Sequence, residues 1–156
     1  MSLTFHTTLG DVKVELFCED CRTACENFLM LCASGYYDHC PIHRVIQNYL
    51  VQTGDPTFTG DGGASIYGEK VHVEPFGDFS EPGFLAYAET HEVGSQFFIT
   101  ATSTPELAGE YTAFGHVIYG LNNIIALSRM PTFEDHQPIR PAAIKNITIH
   151  ANPLAE

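Results

Sequence analysis

Short runs of strand-forming residues, each cut off by turn chemistry, constrain this chain more than any other feature. Leu3 to Thr7 and Val12 to Phe17 come first, and Gly10-Asp11 supplies a turn between them. Val12, Val14 and Leu16 alternate with Lys13 and Glu15, which is the two-residue period of a half-buried strand. Arg44 to Val51, Phe84 to Ala88, Gln96 to Ala101, Ala113 to Ile118 and Ile144 to His150 continue the series. Two segments carry a helical period instead. The first opens on Thr23 with Glu26 three residues later, a capping box, and repeats Ala24, Phe28, Leu31 and Cys32 along one face before Gly35. The second runs from Leu121 to Ser128 and is closed by Pro131. Many short strands with two helices predict a mainly β chain: a closed or nearly closed antiparallel barrel whose open ends the helices cover.

At 156 residues the chain fits one domain, 1–156, and can bury a core without staples. Seven basic residues against nineteen acidic ones leave a net charge of −12, which opposes direct contact with nucleic acid. No apolar run approaches the roughly 18 residues of a membrane span. Met1-Ser2-Leu3-Thr4-Phe5-His6 is no secretory signal, so nucleus or cytoplasm is the expected location. Cys18, Cys21, Cys25, Cys32 and Cys40 are then expected as reduced thiols, and a lone CxxC at Cys18–Cys21 without a second one predicts no metal site. A thiol redox or metal function on that group is the outlying alternative. Gly54 to Gly68 is glycine-rich but lacks the Lys-Ser/Thr ending of a phosphate loop, and reads as a long surface loop.

No nucleophile elbow is present, and the histidines are scattered apart from His39 and His43 beside Cys40. On a regular strand His43 would face away from Arg44, so His43 is expected to be a hydrogen-bonded core residue. Arg44 is a lone arginine in an apolar strand of an arginine-poor chain. It implies either a structural ion pair or a functional site.

Ile42-His43-Arg44-Val45-Ile46, Gln52-Thr53-Gly54-Asp55, Gly62 to Gly68, Gly94-Ser95-Gln96-Phe97-Phe98-Ile99-Thr100 and Phe114-Gly115 occur in that order along the chain. In these segments the sequence resembles the cyclophilins, prolyl-peptide isomerases built as closed eight-stranded antiparallel barrels capped by two helices. The resemblance implies that Arg44 and Gln52 are catalytic. It puts Tyr49, Leu50, Ala88, Glu89, Gln96, Phe98, Leu107 and Tyr111 in the substrate site, with Glu106 on its rim. Tyr49 and Leu50 stand where the common pattern has Phe and Met, Glu89 where it has Asn, Glu106 where it has Trp, and Tyr111 where it has His. The segment from Ala88 to Gly94 is about two residues shorter than the common form.

Cys25-Glu26-Asn27-Phe28-Leu29, Leu31-Cys32-Ala33-Ser34, Val51 to Pro56 and the tail Ile147 to Pro153 are similar to the peptidyl-prolyl isomerase-like-3 group. That group is associated with spliceosomes, so the likeness implies spliceosomal proteins as partners. The expected ligands are proline-containing peptides and proteins, with no cofactor and weak cyclosporin binding for want of the tryptophan. Two functions stay open on the sequence: an active prolyl isomerase, or a proline-peptide binding module with weak or no turnover. Retention of Arg44, Gln52, Gln96 and Phe98 favours the first, and the altered pocket feeds the second.

Overall fold

In a computed structural model, which describes residues 1–150, ten strands and two helices follow one another along the chain. Ala151-Asn152-Pro153 of the tail motif lie outside the described residues. The strands are β1 (Ser2–Thr7), β2 (Gly10–Leu16), β3 (Cys40–Ile46), β4 (Leu50–Thr53), β5 (Val71–His72), β6 (Phe84–Tyr87), β7 (Glu92–Val93), β8 (Phe97–Thr100), β9 (Ala113–Tyr119) and β10 (Ala143–His150). Eight of them close into an antiparallel barrel in the order β1-β10-β3-β4-β8-β6-β9-β2, while β5 and β7 form a separate pair. The main core fills the barrel and extends to the helices, with Phe5, Phe28, Phe97 and Phe114 at its centre.

Helix α1 (Arg22–Ala33) buries Ala24, Phe28, Leu31 and Cys32 as its period requires. It starts two residues earlier than the capping box proposes: Cys21, not Thr23, is the N-cap, and no side chain caps it. The Cys21 amide is already bonded to the Phe17 carbonyl at 2.8 Å, so the chain turns before Thr23, and Glu26 pairs with Arg22 at 3.2 Å instead. At the other end Gly35 takes φ 78°, Gly35 N donates to Cys32 O and Tyr36 N to Leu31 O. This is the paired closure that a C-terminal glycine permits. Helix α2 (Leu121–Ser128) keeps the expected bounds and lies against β2, β3 and β4.

The strand-prone stretch from Arg44 to Val51 is a hairpin rather than one strand. Asn48 adopts φ 56° between β3 and β4, a left-handed geometry that asparagine tolerates and β-branched residues resist. Tyr49 therefore sits in the turn, and Leu50 and Gln52 belong to the next strand. The first hairpin also turns earlier than Gly10-Asp11: Thr8 and Leu9 form the turn, and Gly10 already pairs with Thr7.

Candidate functional site

The register of four neighbouring strands places the candidate residues in one row. Arg44 on β3 faces Gln52 on β4, Gln52 faces Phe98 on β8, and Phe98 faces Ala86 on β6. Side chains alternate between faces of a strand, so this row stands outside the barrel, while Val51, Leu85, Phe97 and Ile99 enter the main core. Outside, a second apolar cluster forms from Leu50, Phe79, Ala86, Phe98 and Ala113, with Tyr49, Ala88, Leu107 and Tyr111 packed against it. Phe98 and Tyr111 meet edge to face at 5.5 Å. Six of the expected substrate residues (Tyr49, Leu50, Ala88, Phe98, Leu107 and Tyr111) thus share one apolar wall, to which packing adds Phe79, Ala86 and Ala113.

A polar chain borders that wall. Arg44 Nη1 donates to Gln52 Oε1 at 3.1 Å, and Gln52 Nε2 donates to Gln96 Oε1 at 3.1 Å. Gln96 Nε2 donates to the carbonyls of Gly60 and Gly62 at 2.9 and 2.8 Å, so both its N–H groups are engaged by the glycine-rich loop. Arg44 has no carboxylate partner among the described residues. Of the two readings of a lone strand arginine, the structural ion pair is therefore absent, and most of the guanidinium donors stay free for a ligand.

Between Ile42 and Arg44 the β3–β4 register shifts, a bulge at His43. Such an insertion re-aims the neighbouring side chains. His43 and Arg44 consequently line the same cavity, of about 240 Å³, together with Phe58, Thr59, Gly60, Asp135 and Gln137, instead of facing opposite ways. Nor is His43 hydrogen-bonded: both ring nitrogens are buried without a partner among the described residues. Burial holds its pKa below the usual 6.5, against the pull of the Asp55 carboxylate, so the ring next to Arg44 is neutral at pH 7.

The two expected acidic positions differ. Glu89 is ion-paired with Lys70, a partner nineteen residues away that no local pattern reveals. Glu106, in a short 3₁₀ turn (Pro105–Leu107), accepts a hydrogen bond from the Tyr49 hydroxyl at 2.8 Å. Burial, and then the Glu106 carboxylate, push the Tyr49 phenol up to about 12. This bond ties the β3–β4 turn to the loop before β9, across two positions where the sequence departs from the common pattern.

A closed barrel thus carries on its outer face an arginine with no carboxylate partner among the described residues, beside an apolar cluster, and the comparisons say to which class such a chain belongs. The chain belongs to the cyclophilin-type peptidyl-prolyl cis-trans isomerases: the model of that family, described as Cyclophilin type peptidyl-prolyl cis-trans isomerase/CLD, matches residues 2–149. It is similar to the human protein named Peptidyl-prolyl cis-trans isomerase-like 3, with 47% identity and 100% of both chains covered. It is also similar to Peptidyl-prolyl cis-trans isomerase 10 of Caenorhabditis elegans, at 43% identity with 99% of each covered. Among solved structures, a cyclophilin-type isomerase of Cryptosporidium parvum, crystallised in the presence of the dipeptide Ala-Pro, superimposes with a TM-score of 0.93. That pair shares 42% identity over 97% of this chain and 100% of the other. The fold and the isomerase class expected from the sequence both stand.

Proposed function

We propose that this protein accelerates X–Pro bond rotation at the Arg44 site, with the apolar wall receiving the proline ring. The observation that carries the reading is Arg44: a guanidinium fixed by Gln52, free of any carboxylate among the described residues, with a single strand between it and Phe98. The uncatalysed rotation crosses a barrier of roughly 18–20 kcal/mol. Its transition state is a twisted amide whose nitrogen has regained a lone pair. A donor aimed at that nitrogen stabilises the twisted form more than the planar one, as catalysis requires. Arginine suits the task because it does not deprotonate and its planar fork is rigid.

Arg44 supplies only part of the effect. A hydrogen bond to a charged group contributes roughly 1.5–3 kcal/mol, whereas a hundred-thousandfold acceleration needs about 7 kcal/mol. Holding and desolvating the amide contribute the rest. The planar amide is the more polar state, so the dry wall of Leu50, Phe98, Leu107, Tyr49 and Tyr111 disfavours the ground state. Gln52 and Gln96 line the polar border, Gln96 through its Oε1, and Ala88–Glu89 offers backbone to the flanking peptide. Proline-containing peptides are the ligands, and the Ala-Pro used with the Cryptosporidium structure is a fitting probe.

Line broadening in NMR exchange spectra of an Ala-Pro peptide at catalytic protein concentration is the test. Absence of exchange with binding intact would leave a proline-peptide binding module in place of the enzyme. We also propose, from the likeness to the isomerase-like 3 proteins, a nuclear role in spliceosomes reached through proteins rather than RNA, as the charge of −12 favours. Failure to co-sediment with spliceosomes assembled in nuclear extract would remove that role. Glu106 in place of an aromatic predicts weak cyclosporin binding, and a titration giving tight binding would contradict it.

A further inference from the structure

The loop that holds Gln96 is itself organised by a single carboxylate. Asp55 is fully buried. Its Oδ1 accepts from the Thr57 amide at 2.9 Å and the Thr57 hydroxyl at 2.6 Å. Its Oδ2 accepts from the amides of Thr59, Gly60 and Gly62 at 3.1, 2.6 and 3.2 Å, and from the Thr59 hydroxyl at 3.4 Å. Three loop amides therefore converge on one oxygen, and they belong to the segment whose Gly60 and Gly62 carbonyls grip Gln96. A charged acceptor bonded to several amides fixes a loop more firmly than neutral pairs do. There is no room for slack either: a Cβ on Gly62 would collide with Asp55 Oδ1 and Thr57 Oγ1. From Gly60 and Gly62 the contacts run without a gap through Gln96 and Gln52 to Arg44.

We propose that Asp55 is a positioning residue for the prolyl site, acting through the Gly60 and Gly62 carbonyls, Gln96 and Gln52 to set the direction of the Arg44 guanidinium. Asp55 lies buried under the loop and acts on the reaction at a distance. The sequence offered a sign of it: an aspartate ahead of Thr57, Thr59, Gly60 and Gly62 is the order in which a side-chain acceptor gathers the amides that follow it.

This inference rests on the reading that Arg44 is the donor, and its test separates the two. Asp55→Asn preserves volume, but its amide group must face the loop N–H groups on one side or the other. Turnover of an Ala-Pro peptide is expected to fall between about tenfold and a hundredfold, the scale of a displaced catalytic group. The Arg44 Nε–H resonance of the free protein is expected to shift and broaden, and the amide spectrum of β1 and β10 to stay unchanged. In a Gln96→Ala background, where the chain of contacts is already cut, the same substitution is expected to change turnover by less than about twofold. An equal fractional loss in both backgrounds would show a general structural role and overturn the proposal, as would an unmoved Arg44 resonance. If Asp55→Asn does not fold, Gly62→Ala displaces the same loop and is read the same way. The Arg44 resonance is recorded without turnover, so it decides the positioning even where the isomerase reading has failed; normal turnover in Arg44→Ala is the result that sinks the latter.

Discussion

Phe97 and Phe98 are neighbours on β8 and nearly equally hidden, 0% and 3% exposed, yet they face opposite sides of the barrel wall. Phe97 packs among Phe5, Phe28, Tyr37 and Phe114 in the main core. Phe98 belongs to the smaller outer cluster with Leu50, Ala86 and Tyr111. Burial does not separate the residue that holds the barrel from the one that packs on its outer face. The face does, and the face follows from register. The contrast extends along β4 and β6, where Val51, Leu85 and Tyr87 point inward and Leu50, Gln52 and Ala86 point outward.

The largest expected effect tests that contrast directly. Phe97→Ala should cost about 3–5 kcal/mol in urea unfolding, the range for a truncated core aromatic. Phe98→Ala should cost less, because the cluster it packs in is the smaller one, while abolishing detectable Ala-Pro binding. Equal stability losses with binding retained in both would erase the distinction between the faces. Next in size, Arg44→Ala should lower turnover by about 10- to 150-fold, the equivalent of roughly 1.5–3 kcal/mol, with the melting temperature unchanged. Normal turnover would show that the outer row is not the reactive one.

Acid comes third. At Asp55, burial raises the carboxyl pKa, but the Thr57, Gly62 and Gly60 hydrogen bonds outweigh it and hold the value at about 2. A folded pKa below the unfolded one contributes stability that is present above about pH 4 and lost as pH falls to about 2. The amount is about 2 kcal/mol. His43 adds a separate limb of the same direction: its folded pKa is lowered by burial, so stability declines as pH drops below the usual 6.5. Unfolding free energy measured against pH should show both limbs, and Asp55→Asn should remove the more acidic one while deepening the other, since the Asp55 carboxylate opposes the lowering at His43. The smallest effect concerns the rim. Since Glu89 is paired with Lys70 and Glu106 is held by Tyr49, Glu106→Gln should weaken Lys-flanked prolyl peptides at low salt by no more than about fivefold. It should also bring the Tyr49 phenol down from about 12 toward its ordinary value of 10 in an ultraviolet titration.

Much of this was legible in the chain itself. The period-two runs predicted a barrel, and the resemblance named Arg44, Gln52, Gln96 and Phe98, which the folded chain brings side by side. Other features were not legible, for identifiable reasons. The bulge at His43 depends on how β3 meets β4, a pairing that no single strand encodes. Asn48 broke a run that looked continuous because one left-handed residue suffices to reverse it. The capping box at Thr23 and Glu26 lost to a turn begun earlier by Cys21. Lys70 and Glu89, and β5 with β7, meet only after the loops between them are folded. The order of Asp55 ahead of Thr57, Thr59, Gly60 and Gly62 marks an acceptor, but that the loop it gathers also grips Gln96 is fixed only by folding.

The barrel closes through β1 and β10, with Ser2 opposite His150 and Leu3 opposite Ile149. For a chain emerging from a ribosome this seam sets a deadline. One edge of β1 stays without its partner until residue 150 has been made, so the barrel wall that holds Arg44 stays open along this seam until then. Early release would leave an open strand edge, a template for aggregation. The same seam brings residues 2 and 150 side by side, which makes the chain a candidate for circular permutation: a short linker across the seam, with new ends cut into an exposed loop, would preserve every strand pair.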